Sequence, residues 1–217
     1  FITGNDAVVI GAVKAGVKML AAYPMTPATS IMQGLAALEE DYNIIVKHTE
    51  DEIAAMAMIN GAVMAGVRAM TCTSGGGFAL MNEAFGMAGM AEQPVVAVVS
   101  QRGVPATGLP TWTGQGDLRF VTHAAPGDNP RIIIAPGDAT ESFYETFNAF
   151  NLAEKYQLPV IILLDKYLSE SSQSVEYFDI DKLQLERGKL LTNEELAKIK
   201  NYKRYEFTAD GISSRAV

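Results

Sequence analysis

Cysteine, histidine and positive charge are all scarce in this chain of 217 residues. The single cysteine, Cys72, excludes an internal disulfide framework and an iron–sulfur cluster held by this chain's thiolates alone. The two histidines, His48 and His123, lie far apart, so a zinc site would need carboxylates to complete it, and no metal ligand set is expected here. Lys and Arg number 17 against 25 Asp and Glu, a net charge of −8. That balance argues against nucleic acid as a partner, yet leaves room for a local basic pocket that takes a small anion. No apolar run approaches the ~18 residues of a spanning helix, so no membrane segment is expected. No stretch reads as a cleavable leader. The chain opens at Phe1 without an initiator methionine, as expected of a processed or truncated chain. Thiol scarcity suits a reducing cytoplasm.

What is present is apolar: 48% hydrophobic residues against 19% charged, the balance of a globular chain with a large interior. Gly, Ala, Val and Ile dominate up to residue 168, and all ten methionines lie at or before Met90. From Ser169 onward Glu, Lys, Leu, Asn and Tyr take over. The change predicts a domain over 1–168 and a polar linker or extension over 169–217, leading toward a further domain absent from this chain.

Within the first part, short apolar runs alternate with longer helical patterns. Strands are predicted over Met19–Tyr23, Ile44–Lys47, Ala69–Thr73, Val95–Ser100, Arg131–Ala135 and Val160–Asp165. Helices are predicted over Asp6–Ala15, Ser30–Glu40, Asp51–Ala65, Phe78–Gly89, Asp117–His123 and Ala139–Tyr156. Such alternation implies crossover units and an α/β, doubly wound, mostly parallel sheet with helices on both faces. The runs Val95–Val99 and Val160–Leu164 are apolar at every position, as strands covered on both sides should be. Ligands in such folds sit at the carboxyl ends of the strands.

Four loops therefore matter. In the first, Pro24 and Pro27 stiffen the backbone around Thr26, which suits either an anion contact or a plain turn capped by Thr29 or Ser30. In the second, Thr49 and Glu52 match a capping box, but the following helix is apolar on nearly every face and should be deeply buried. A carboxyl in such surroundings gains a raised pKa and can exchange protons with a ligand. In the third, Ser74-Gly75-Gly76-Gly77 lets a ligand approach the backbone closely. It lacks the lysine of a P-loop and the preceding glycine of a nucleophile elbow. In the fourth, Arg102 opens a long non-helical excursion, and its guanidinium suits bidentate capture of a carboxylate. A carboxyl, a hydroxyl and an arginine at neighbouring strand ends describe a pocket for a carboxylate ligand with an acid/base beside it.

Several runs, taken in order, resemble the alpha subunit of 2-oxoacid:ferredoxin oxidoreductases, most closely the 2-oxoglutarate and branched-chain types. They are Gly4–Ala7, Tyr23–Ser30 (YPMTPATS), Glu50–Ala55 (EDEIAA), Thr73–Phe78 (TSGGGF), Gln101–Thr111 (QRGVPATGLPT), Gln115–Asp117, Arg187–Lys189 and Asp210–Ser213. The resemblance implies the pyrimidine-binding domain of a thiamine diphosphate enzyme. It implies a catalytic, cofactor-contacting role for Glu52 at N1′ of the aminopyrimidine. It also implies substrate contacts for Thr26 and Arg102, and cofactor contacts for Pro24, Ser74 and Gly75. The reaction implied is oxidative decarboxylation of a 2-oxoacid to an acyl-CoA, with ferredoxin as acceptor. The diphosphate-binding domain, with its magnesium, is expected on a beta subunit, and the iron–sulfur cluster on partner subunits, gamma or delta subunits among them. The chain departs from the family pattern at Met25, Gly76, Val104, Trp112 and Gly114, near the substrate end. Two rival readings are a non-catalytic assembly or regulatory subunit that keeps the fold, and a serine hydrolase using Ser74 with His48 or His123 as base.

Overall fold

A computed structural model describes residues 1–217. In chain order it contains α1 (Gly4–Lys14), β1 (Met19–Ala22), α2 (Thr29–Ala36), α3 (Glu39–Tyr42), β2 (Ile45–His48), α4 (Glu52–Met64), β3 (Ala69–Thr73) and α5 (Gly75–Leu80). There follow α6 (Asn82–Met90), β4 (Val96–Gln101), α7 (Leu118–His123), β5 (Ile132–Ile134), α8 (Ala139–Tyr156), β6 (Val160–Asp165), α9 (Lys166–Glu170) and α10 (Asn193–Lys198). Every predicted strand is present. They form one six-stranded sheet, all parallel, in the order β2-β1-β3-β4-β6-β5.

Strand alternation explains the wholly apolar runs. Val96 and Val98 of β4, with Val160, Ile162 and Leu164 of β6, face a cluster that includes Phe147 and Phe150 of α8 and Ile31 and Leu35 of α2. Ala97, Val99, Ile161 and Leu163 face the opposite cluster, with Met56 and Ile59 of α4, Phe78 of α5 and Phe85 of α6. Each fully buried aliphatic or aromatic side chain contributes roughly 1.5–3 kcal/mol, so both faces act as cores. On the first face α1 crosses α8 closely. A Cβ at Gly11 would come within 2.6 Å of the Phe143 carbonyl oxygen, so only glycine permits that approach. The helix begins with a capping box, in which Thr3 Oγ1 accepts from Asp6 N–H and the Asp6 carboxylate accepts from Thr3 N–H.

Three predicted helices differ in detail. The Ser30–Glu40 pattern divides into α2 and α3 at Leu38, whose φ of −111° and ψ of 6° leave the helical region. Neither Thr29 nor Ser30 caps α2; the cap position is Ala28, without a side-chain bond. Ser30 Oγ instead accepts from Asn5 Nδ2. The Phe78–Gly89 pattern is two helices meeting at Met81, and the first starts at Gly75, so the glycine triplet is helical and not loop. Helix α4 is only half enclosed: Ile53 is 52% and Met64 is 64% exposed, because no other element lies over its outer side.

Residues beyond α9 hold α10 and otherwise run as irregular chain that packs back on the sheet domain. Ile2 bridges Gln173, and Leu190 bridges Arg215. The main fastening is ionic. Glu154 of α8, 3% exposed, receives Arg68 Nε at 2.9 Å, Arg187 Nε at 2.6 Å and Arg215 Nη2 at 3.1 Å. Arg68 also donates to the Ala15 and Glu186 carbonyls, and Arg215 to the Val63 carbonyl. Burial draws the Arg68 and Arg215 guanidinium groups below their ordinary pKa, and the Glu154 charge opposes that shift. Removing one partner from such a buried set strands the others. Glu154→Gln is expected to cost about 3–5 kcal/mol in chemical denaturation and to expose residues 171–217 to protease before the sheet domain is cut.

Candidate active site at the parting of two strands

The chain reverses its direction of sheet growth between β1 and β3, and the two strands part there. Their register pairs Met19 with Ala69 and Leu20 with Met70, and goes no further. The flanking pairs β1–β2 and β3–β4 continue to His48 and Thr73. A crevice opens at the carboxyl ends, where ligands of open α/β sheets bind. The loops after β1, β2, β3 and β4 converge around it and bring the predicted residues together.

The acid comes from α4. Its N-cap is Asp51, whose Oδ1 accepts from Ala54 N–H at 2.7 Å. The predicted capping box is therefore not formed: Thr49 N–H donates to the Ala22 carbonyl, and Thr49 Oγ1 donates to the Asp51 carbonyl. Because Asp51 satisfies the helix end, Glu52 is released from capping. It turns inward, 3% exposed, with Oε1 buried and without a hydrogen-bond partner. Burial raises its carboxyl above the ordinary value of 4.5, its own backbone N–H opposes the shift, and the nearby Asp51 charge adds to it.

The glycine helix α5 lies against this carboxyl. A Cβ at Gly77 would overlap Thr73 Oγ1 and approach Glu52 Oε1 to 2.5 Å, so any other residue would fill the space beside the acid. Thr73 Oγ1 reaches across the crevice to Met25 Sδ at 3.8 Å. Ser74 is buried and its Oγ has no partner. No histidine bonds to it: His123 Nδ1 lies against the Arg119 carbonyl and Thr122 Oγ1, and the exposed His48 ring packs edgewise on Tyr23. Ser74 thus lacks the base that a hydrolase would require. Cys72, inside β3, is buried, and burial pushes its thiol up to about 12, which leaves it a neutral core side chain.

Arg102 was expected at a strand end with its fork open. Instead it is 5% exposed and its guanidinium is clamped by main-chain oxygens. Nε and Nη2 donate to the Thr107 carbonyl, and Nη1 donates to the Thr26 carbonyl at 2.8 Å. The arginine therefore joins the β4 loop to the β1 loop, which places Thr26 beside it. Half-buried Pro24 and Thr26 line the β1 side. The excursion after Arg102 folds on itself, with Gly103 N–H donating to the Trp112 carbonyl and Leu109 N–H to the Gly103 carbonyl.

A second buried acid, Asp117, escaped identification as a site residue. It stands at the start of α7 without capping it, 7% exposed, with Oδ2 unpartnered. A Cβ at Gly75 would come within 2.6 Å of its Cγ. Its signals in the sequence are its place in the run Gln115–Asp117 and an Asp preceded by glycine at a helix start, and the second reads equally well as an ordinary cap.

Comparison with known proteins accords with this geometry. Residues 10–210 match the family model described as pyruvate flavodoxin/ferredoxin oxidoreductase, thiamine diphosphate-binding. The chain is 45% identical over its whole length to a 2-oxoacid:ferredoxin oxidoreductase alpha subunit of Sulfurisphaera tokodaii, and covers 36% of that protein. It is 42% identical over 90% of its length to a 2-oxoglutarate synthase subunit KorA of Methanothermobacter thermautotrophicus, covering 52% of it. Among solved structures, 99% of the chain superposes with a TM-score of 0.93 and 41% identity on 37% of a 2-oxoglutarate:ferredoxin oxidoreductase chain of Magnetococcus marinus, a structure with 2-oxoglutarate, coenzyme A and succinyl-CoA bound. The chain thus spans between a third and about half of the length of these relatives.

A stability test follows from the buried acid. A carboxyl with a raised native pKa binds its proton more tightly folded than unfolded. It therefore costs stability as pH rises from the unfolded value near 4.5 through the native one. Glu52→Gln removes that cost, and is expected to raise the Tm at pH 7 by about 2–4 °C per kcal/mol recovered, with a smaller gain at pH 4. Differential scanning calorimetry at the two pH values checks both the sign and its pH dependence.

Proposed function

The chain belongs to the thiamine diphosphate-binding family of pyruvate flavodoxin/ferredoxin oxidoreductases, and from that premise we propose that it supplies the pyrimidine-binding half of the active site in a 2-oxoacid:ferredoxin oxidoreductase. The reaction is oxidative decarboxylation of a 2-oxoacid to an acyl-CoA with reduction of ferredoxin. The observation that carries the reading is Glu52: a buried carboxyl with one unpartnered oxygen, beside a glycine that keeps the adjoining space free. That arrangement fits the edge of an aminopyrimidine, whose ring nitrogen supplies the missing partner. Thiamine diphosphate, when bound, supplies the nucleophilic carbon and the electron sink on which decarboxylation of a 2-oxoacid depends.

The chain's own residues bind, orient and move protons. Glu52, with its raised pKa, holds a proton at Oε1 near neutral pH more readily than an exposed glutamate does, and exchanges it with the ring nitrogen N1′. Pro24, Ser74 and Gly75 line the cofactor, and the glycine brings backbone close to it. Arg102 and Thr26 hold the substrate carboxylate. The carbonyl clamp on the guanidinium fixes its orientation before the ligand arrives, so little ordering cost remains at binding. A beta subunit carries the diphosphate end and its magnesium, and the iron–sulfur cluster resides on partner subunits, gamma or delta subunits included. Residues 169–217 form an extension of the 1–168 domain toward a further domain. One buried thiol and a ferredoxin acceptor fit a reducing cytoplasm. An unpartnered, buried Glu52 oxygen, together with the presence of Arg102, favours this reading over a non-catalytic assembly subunit.

The test is co-expression with the beta partner, followed by CoA-dependent ferredoxin reduction over a panel of 2-oxoacids. Glu52→Gln is expected to lower turnover by ~10²-fold or more and to slow hydrogen–deuterium exchange at C2 of bound thiamine diphosphate. Full exchange in that variant would reduce Glu52 to a structural residue. Arg102→Lys keeps the charge but not the fork, and is expected to lower kcat/KM for the 2-oxoacid by roughly 10- to 150-fold while sparing cofactor binding. An unchanged kcat/KM would remove Arg102 from the substrate site.

A further inference from the structure

Asp117 has no function in the scheme so far, yet it is the second buried acid of the site. It lines a cleft of about 320 Å³ together with Gly75, Gly76, Val104, Pro105 and Ala106. The residue is 7% exposed, Oδ2 meets no donor, and its backbone N–H donates to Gln101 Oε1 at 2.9 Å. Gln101 Nε2 in turn donates to the Leu164 carbonyl, so a neutral amide anchored in the sheet sets where Asp117 stands. A carboxyl at a helix start ordinarily turns back to cap it. This one does not; it lies over the Gly75 Cα, where no side chain could fit.

The charged group that faces Asp117 is Arg102, at the end of β4. Helix α5 turns glycine backbone toward it, Gln101 is neutral, and Arg119 on α7 itself is exposed. Two opposed effects act on the carboxyl: burial raises its pKa, and the Arg102 charge lowers it. Arg102 hydrogen-bonds only to neutral carbonyls, so no carboxylate is bonded to it and its remaining N–H groups are left for an anion. A ligand carboxylate seated against Arg102 offsets the charge that lowers the Asp117 pKa, and adds a like charge nearby. Both changes favour the protonated acid.

Resting on the reading that Arg102 receives a 2-oxoacid carboxylate, we propose that Asp117 is a proton-linked ligand-binding residue of this site. Docking of the carboxylate draws one proton from solvent onto Asp117, and Oδ2–H then donates to a ligand oxygen. The unpartnered oxygen becomes a donor at the moment when an acceptor is delivered, and no buried pair of like charges is left. The sign of the linkage is fixed. Asp117 has a higher pKa with ligand than without, so binding is strong below the ligand-free pKa and weakens as pH rises through the liganded one.

The test uses the assembled alpha–beta enzyme. Calorimetric titration with 2-oxobutyrate, on enzyme stripped of thiamine diphosphate to prevent turnover, is run in two buffers of different ionisation enthalpy. Wild type is expected to take up protons, up to one per site, and Asp117→Asn to take up none. With cofactor restored, the wild-type KM is expected to climb with pH by up to about tenfold per unit within the linkage window, while the Asp117→Asn KM stays level across it. A merely structural aspartate would move the magnitudes and leave the pH slope in place. Absence of proton uptake by the wild type overturns the proposal even if the variant cannot be purified, as does equal uptake by both proteins. A wild-type enzyme that binds no 2-oxoacid and reduces no ferredoxin with any of them overturns the reading of the site as a whole, and this proposal with it. An active wild type without proton uptake defeats only the role of Asp117.

Discussion

Strands β1 and β3 share hydrogen-bonded register only at their amino ends, and the placement of each site residue follows from that divergence. Both strands are central and covered by apolar layers, so their backbone positions are fixed by burial rather than by the ligand. Where they separate, four loops lose a common ladder and gain a common crevice. A guanidinium spans it: Arg102, rooted at the end of β4, grips the carbonyl of Thr26 in the β1 loop. Charge, hydroxyl and acid are thereby held at one end of one sheet.

Two buried acids at this end of the sheet cost the fold stability. Glu52 and Asp117 each leave a buried oxygen without a partner, and burial raises the pKa of both. An isolated domain gains nothing from either acid. The far end shows the opposite pattern. Glu154 is as buried as Glu52 yet has three guanidinium partners, and fastens the polar extension to the strands. One carboxyl is fully satisfied and structural; the other two each keep a buried oxygen that meets no donor.

Much of this was legible in the residues. The apolar runs of β4 and β6 have no polar face, which in water demands helices on both sides and hence parallel crossovers. Glu52, Thr26 and Arg102 stood out as chemistry-bearing side chains next to strand ends. Other features resisted reading because they depend on competition between neighbours. Thr49 and Asp51 both suit an N-cap, and spacing favoured Thr49 with Glu52; in the fold Thr49 serves β1 through its N–H, so Asp51 caps and Glu52 turns inward. The glycine triplet looks like loop by propensity, but Phe78 is fully buried and draws the preceding residues into the first turn of α5. Tertiary packing there outweighs the roughly 1 kcal/mol per residue that glycine costs a helix.

The sequence alone determined the alternation of strands and helices, their two-sided burial, and the family to which the long ordered motifs belong. Those follow from local periodicity and from contiguous residues, both of which survive in a one-dimensional string. The strand order, the parting of β1 from β3, the carbonyl clamp on Arg102 and the burial of Asp117 against Gly75 were decided only in three dimensions. Each joins residues distant in the chain, and none has a spacing that marks it. Whether a buried carboxyl finds a partner depends on what the rest of the fold brings to it, which is why Glu154 has three guanidinium partners while Glu52 and Asp117 each keep an oxygen without one.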